Sequence, residues 1–140
     1  INTPSMFCVE DALDALEWLE SVGGLEGSIE RSNKNLEAVK YWVERSNWAD
    51  FLCEDHRNLS STSICLKVKD SKFLNLNDEK QKIKIKEINN MLEKEGVAFD
   101  INSYRTAPPG FRIWGGSTVE TSDIETLLPW LDWAYTVVND

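Results

Sequence analysis

The sequence predicts a two-layer α/β fold (an α+β sandwich), in which helices pack on a small sheet of about three strands. Three observations lead there. Apolar residues recur at three- and four-residue spacing in four separate stretches, the mark of amphipathic helices. Two short stretches, TSICLKV at 62–68 and FRIW at 111–114, carry the β-branched and aromatic residues of strands. The 140 residues are 41% hydrophobic with six tryptophans, enough for one domain with its own core. Elements with one apolar face each are buried most simply as a helix layer on a sheet.

The first helix follows Thr3-Pro4, an N-cap with proline in the first turn, and carries Met6, Val9, Leu13 and Leu16 on one stripe until Gly23-Gly24 stops it. The second carries Leu25, Ile29, Ser32, Leu36, Val39 and Val43; it is too short for a coiled coil and reads as a core helix. Residues 47–61 are polar and loop-like, with Trp48 and Phe51 tucked against the core. After the strand at 62–68 and a connection over 69–77, Asn77-Asp78-Glu79 caps a helix with acids in its first turn. Lys80, Lys82, Lys84 and Lys86 alternate with Ile83 and Ile85 as a strand would. The longer pattern Ile85, Ile88, Met91, Leu92 favours a helix through Glu95, with the lysines on its solvated face. In the last helix, Ser122-x-x-Glu125 has the form of a capping box, and Ile124, Leu127, Leu128, Leu131, Ala134 and Val138 form the buried stripe. Pro129 should kink or restart that helix. Trp130 and Trp133 on it read as core or interface packing.

Between the last two helices lies GVAFDINSYRTAPPGFRIWGG, residues 96–116. Val97, Phe99 and Ile101 alternate as a strand, Pro108-Pro109-Gly110 turns the chain, and Phe111, Ile113 and Trp114 continue it. Two of the chain's five arginines sit here, Arg105 in the loop and Arg112 inside the second strand. A guanidinium among apolar strand residues is costly to bury without an anion, and its planar fork fits carboxylate or phosphate bidentately. Two readings follow: Arg112 holds an anionic small molecule, or it points outward and pairs with a surface carboxylate.

The remaining chemistry is sparse. A net charge of −9 argues against nucleic acid or an anionic membrane as partner. No signal peptide or membrane-spanning run is present. Cys8, Cys53 and Cys65 are widely spaced with no CxxC, which suits free, mostly buried thiols in a cytoplasmic protein. The single histidine, His56, excludes a histidine-rich metal site, and no metal is expected. There is no Walker loop and no GxGxxG. No complete catalytic set emerges, so the chain supplies an anion site and not a catalyst.

INTPSMFCVEDALDALEWLESVGGLEGSIERSN resembles the start of the small C-terminal domain of phosphoserine aminotransferase, with its Asn-Thr-Pro motif, a helix ending at Gly-Gly and a second long helix. SSTSICLKV resembles a strand of that family. LEKEGVAFDINSYRTAPPGFRIWGG resembles its segment of two arginines flanking a glycine-containing turn, closest to the bacterial branch reading Arg-Ile-Trp. The resemblance covers nearly the whole chain. It implies that residues 1–140 are the small domain of a fold-type I aminotransferase, a cytoplasmic homodimer dependent on pyridoxal 5'-phosphate. That enzyme exchanges an amino group between O-phosphoserine and 2-oxoglutarate (glutamate in reverse) in serine biosynthesis, and serves pyridoxine biosynthesis. It assigns Arg112 to the substrate α-carboxylate and Arg105, beside Tyr104, to the substrate phosphate or distal carboxylate. Asn2 and Thr3 would touch the cofactor phosphate of the neighbouring subunit. Many members have His-Arg where this chain has Tyr104-Arg105, and their arginines stand one residue closer, so the loop here should bulge. The Schiff-base lysine belongs to a large domain outside this chain, and the fragment alone is expected to be inactive. A related aminotransferase with another acidic substrate, or a stand-alone anion-sensing module, are the rival readings.

Overall fold

The computed structural model describes residue 3 and residues 5–139. Helices α1 (Met6–Ser21) and α2 (Gly24–Val43) lead into strand β1 (Ala49–Phe51), a 3-10 turn (His56–Asn58) and strand β2 (Ser63–Val68). The short helix α3 (Ser71–Leu74), α4 (Asp78–Lys94), strand β3 (Gly110–Trp114) and α5 (Thr121–Asn139) complete the order. The sheet is antiparallel throughout, in the order β1-β2-β3. The expected two-layer architecture is therefore present, with three strands.

Period-two alternation decides the sheet's faces. Ile64, Leu66 and Val68 of β2 are buried, as are Phe111 and Ile113 of β3 and Ala49 and Phe51 of β1. They meet Val39, Val43, Ile85, Ile88, Leu92, Ile124, Leu128, Leu131 and Ala134 from α2, α4 and α5 in one core. Trp48 and Phe51 are buried as expected. Asn77 caps α4 as expected, its side chain accepting from the Lys80 amide.

Five expectations are corrected. The strand expected over Val97–Ile101 does not form. Gly96 turns at φ 69, and the Val97 and Ala98 amides both bond back to the Leu92 carbonyl at the end of α4. Ala98 and Ile101 are buried instead of Phe99, and only a single bridge, Asn102 to Phe111, joins the segment to β3. The third strand is β1, from the stretch read as loop. Secondly, Thr3 does not cap α1: Ser5 holds that position, without a side-chain hydrogen bond. Thirdly, the α1 stripe is not covered; Met6, Val9, Leu13 and Leu16 are all exposed, and no residue of α1 is buried. Leu25 and Ile29 of α2 are exposed too, because α1 packs chiefly against α2 and leaves that end open. For the same reason Cys8 is exposed, while Cys53 and Cys65 are half-buried, so none of the thiols is fully buried. Lastly, Ser122 is inside α5, which begins at Thr121. That helix neither stops nor restarts at Pro129, which lies on its exposed side where the unbonded carbonyl one turn earlier can face water.

Gly110 shows how tightly β3 is laid on β2: a Cβ there would come within 2.2 Å of the Leu66 carbonyl oxygen. Backbone cannot yield as a side chain can. Gly110→Ala is therefore expected to destabilise the fold by about 1–3 kcal/mol, read as a lower urea midpoint at unchanged slope. An unaltered midpoint would show that the two strands are free to separate here.

Candidate functional site

Arg112 is built into place by the pairing of β2 and β3. It lies directly opposite Cys65, so it shares the sheet face of Ser63, Cys65 and Trp114, away from the helix-covered core. Its own amide donates to the Ile101 carbonyl at 2.8 Å, and the Ser103 amide donates to the Gly110 carbonyl at 3.2 Å. These bonds bring residues 100–104 alongside β3. The buried Asn89 of α4 donates from its side chain to Asn102 and holds the same segment from below.

The result is a cavity of about 470 Å³. Its wall includes Ser63, Asp100, Tyr104, Arg112, Trp114 and Asp123. The Arg112 side chain is 26% exposed, and its guanidinium carbon stands 4.4 Å from the centre of the Tyr104 ring. Its Nη2 donates to Asp100 Oδ2 at 3.4 Å. Tyr104 foremost, and the Asp100 charge with it, push the already high pKa of Arg112 upward against the opposing effect of desolvation. A permanently charged fork, steadied on one face by an aromatic ring, is suited to bind a carboxylate. A larger surface groove, about 680 Å³, lies between α2 and α5. It is lined by Glu26, Glu30, Glu37 and Glu125 with Lys34 as its cation, so it disfavours anions.

Of the sequence-derived site residues, the fold brings Tyr104 and Arg112 together. Arg105 is exposed in the loop turn and does not line the cavity. Thr3 is exposed, and Asn2 lies outside the described residues. Three residues escaped the sequence reading. Asp100 and Asp123 reach the cavity from a loop and from the first turn of α5. Asn35 is fully buried in α2, where its Nδ2 donates to the carbonyls of Gly115, Gly116 and Val119 and its Oδ1 accepts from Thr121. It fixes the chain that leaves β3. A signal existed: Asn35 sits three residues after Ser32 and beside Leu36, a polar residue on a buried face. Among the described residues no group of three or more His, Cys, Asp or Glu is arranged to hold a metal, and no helix is long and apolar enough to cross a membrane.

No protein-family model matches the chain. Curated relatives do. A phosphoserine aminotransferase of Methanosarcina barkeri (strain Fusaro / DSM 804) is 50% identical over 139 residues, 99% of this chain and 35% of the relative. One of Methanosarcina mazei is 49% identical over the same share. The chain thus spans about a third of the length of the curated relatives it matches. Among solved structures, the phosphoserine aminotransferase from Bacillus circulans subsp. alkalophilus superposes with a TM-score of 0.77 at 22% identity, over 97% of this chain and 34% of that one. That likeness extends to the fold. By sequence along its whole length, and by fold, the chain is a relative of the phosphoserine aminotransferases, matching a segment of about one third of them.

Proposed function

We propose that residues 1–140 are the C-terminal small domain of a phosphoserine aminotransferase, a cytoplasmic homodimer that transfers an amino group between O-phosphoserine and 2-oxoglutarate in serine biosynthesis. The observation that carries this is Arg112, a charged fork on a strand, stacked on Tyr104 in a cavity and held by Asp100 through one long bond. It takes the substrate α-carboxylate. Arg105, on the loop after Tyr104, takes the distal phosphate or carboxylate, and Asn2 and Thr3 reach the cofactor phosphate of the neighbouring subunit.

The exposed apolar face of α1 supports a missing neighbour. Met6, Phe7, Leu13 and Leu16 are each about half or more exposed, and an apolar stripe of this length normally meets another protein surface. The donor set does not fit pyridoxal phosphate by itself, since no lysine lines the Arg112 cavity. The aldehyde-binding lysine lies outside this chain, which orients substrate and, apart from Asn2 and Thr3 at the phosphate, leaves the cofactor to other residues.

Borohydride reduction with pyridoxal phosphate, followed by peptide mapping, tests this division. The full-length protein should carry one labelled lysine outside residues 1–140, and this chain alone should show no unique label. Stoichiometric labelling of a single lysine within the chain would sink the proposal. Arg105→Lys should slow the half-reaction with phosphoserine more than that with alanine, because only phosphoserine carries a distal anion for the fork to grip. Equal slowing would remove Arg105 from the phosphate.

A further inference from the structure

Asp100 differs from the rest of the Arg112 cavity in three ways. Among the described residues it is the one non-glycine residue with positive φ, 52°, an uncommon backbone that Asp and Asn tolerate better than other side chains. Its carboxylate lies 3.4 Å from Arg112 Nη2, longer than the roughly 2.7–2.9 Å of a strong charged pair. Its side chain is 85% exposed, so it approaches Arg112 from the solvent side. One oxygen meets one nitrogen, and the remaining guanidinium donors are left uncommitted by it.

We propose that Asp100 is an internal stand-in for the substrate carboxylate, pairing with Arg112 in the empty site and giving way when substrate takes the fork. This rests on the reading of Arg112 as the carboxylate anchor. The physical consequence is a threshold. A ligand must outcompete a carboxylate already present, so its affinity is reduced by the fraction of molecules in which Asp100 holds the arginine. A bidentate carboxylate displaces a single long bond readily; an anion making one contact gains little over it. The exposed position lets Asp100 swing into water without leaving a buried charge behind.

The test is calorimetric titration of the full-length holoenzyme with glutarate, a dicarboxylate with no amino group to react. Asp100→Asn keeps a side chain that accepts the left-handed backbone and removes only the charge. It should bind glutarate about two- to fivefold more tightly, the range expected for releasing an exposed ion pair. Asp123→Asn removes the same charge from the cavity wall without a bond to Arg112 and should tighten binding by clearly less. Equal tightening by both variants, or unchanged or weaker binding by Asp100→Asn, overturns the stand-in role. Arg112→Lys separates the two ideas. If it loses glutarate binding, the anchor stands whatever Asp100→Asn does. If it binds glutarate like the parent, the anchor itself is wrong.

Discussion

Arg112→Lys in the full-length enzyme should lower the catalytic efficiency with phosphoserine by about one to two decades, the effect of losing one charge-assisted hydrogen bond of roughly 1.5–3 kcal/mol. Cofactor affinity should stay nearly unchanged, because the proposed function assigns the cofactor-binding lysine to a position outside residues 1–140. The reason is geometric. Arg112 is fixed by β-pairing opposite Cys65 and stacked on Tyr104 at 4.4 Å, so its planar fork faces the cavity in a set orientation. Lysine supplies the charge but neither the second parallel donor nor the flat face that meets the ring. The observable is the single-turnover rate of the pyridoxal-to-pyridoxamine spectral change. A variant that reacts like the parent makes Arg112 a surface arginine paired with Asp100 and removes the central site assignment.

Asp132→Ala should destabilise the fold by about 2–5 kcal/mol, through two buried or half-buried indole donors left without an acceptor. Asp132 lies on α5 and accepts from Trp48 Nε1 at 2.7 Å through one oxygen and from Trp42 Nε1 at 2.8 Å through the other. The two rings meet edge to face at 5.5 Å. Trp48 stacks on Tyr135 at 4.1 Å, and Tyr135 donates its hydroxyl to Asp70 at 2.8 Å. One carboxylate thus ties α2, the start of β1 and α5 together. Burial foremost, then the Asp70 bond, pushes the Tyr135 hydroxyl pKa well up, so this donor keeps its proton. Urea unfolding followed by tryptophan fluorescence reads the loss directly. A change below about 1 kcal/mol would mean that water replaces Asp132 at both indoles.

The sequence by itself determined the elements whose signal is local. The stripes of α2, α4 and α5 and the alternation of β2 and β3 are written in consecutive residues, and so is the Asn77 cap. Arg112 stood out for the same reason, as a cation between Phe111 and Ile113, which the structure buries beneath it. Tertiary structure decided everything that depends on a distant partner. Periodicity states which face of a helix is apolar, not whether anything covers it; α1 has a stripe as regular as that of α2 and buries none of it. β1 is three residues long, too short to show alternation, and exists because β2 offers it an edge. Residues 97–101 alternate like a strand, but the Leu92 carbonyl captures two of their amides and turns them back over α4. The pairing of Asp100 with Arg112 and the four bonds of Asn35 join residues 12 to 86 positions apart. No local pattern encodes such contacts, because they are set by how the helix layer and the sheet come to rest on each other.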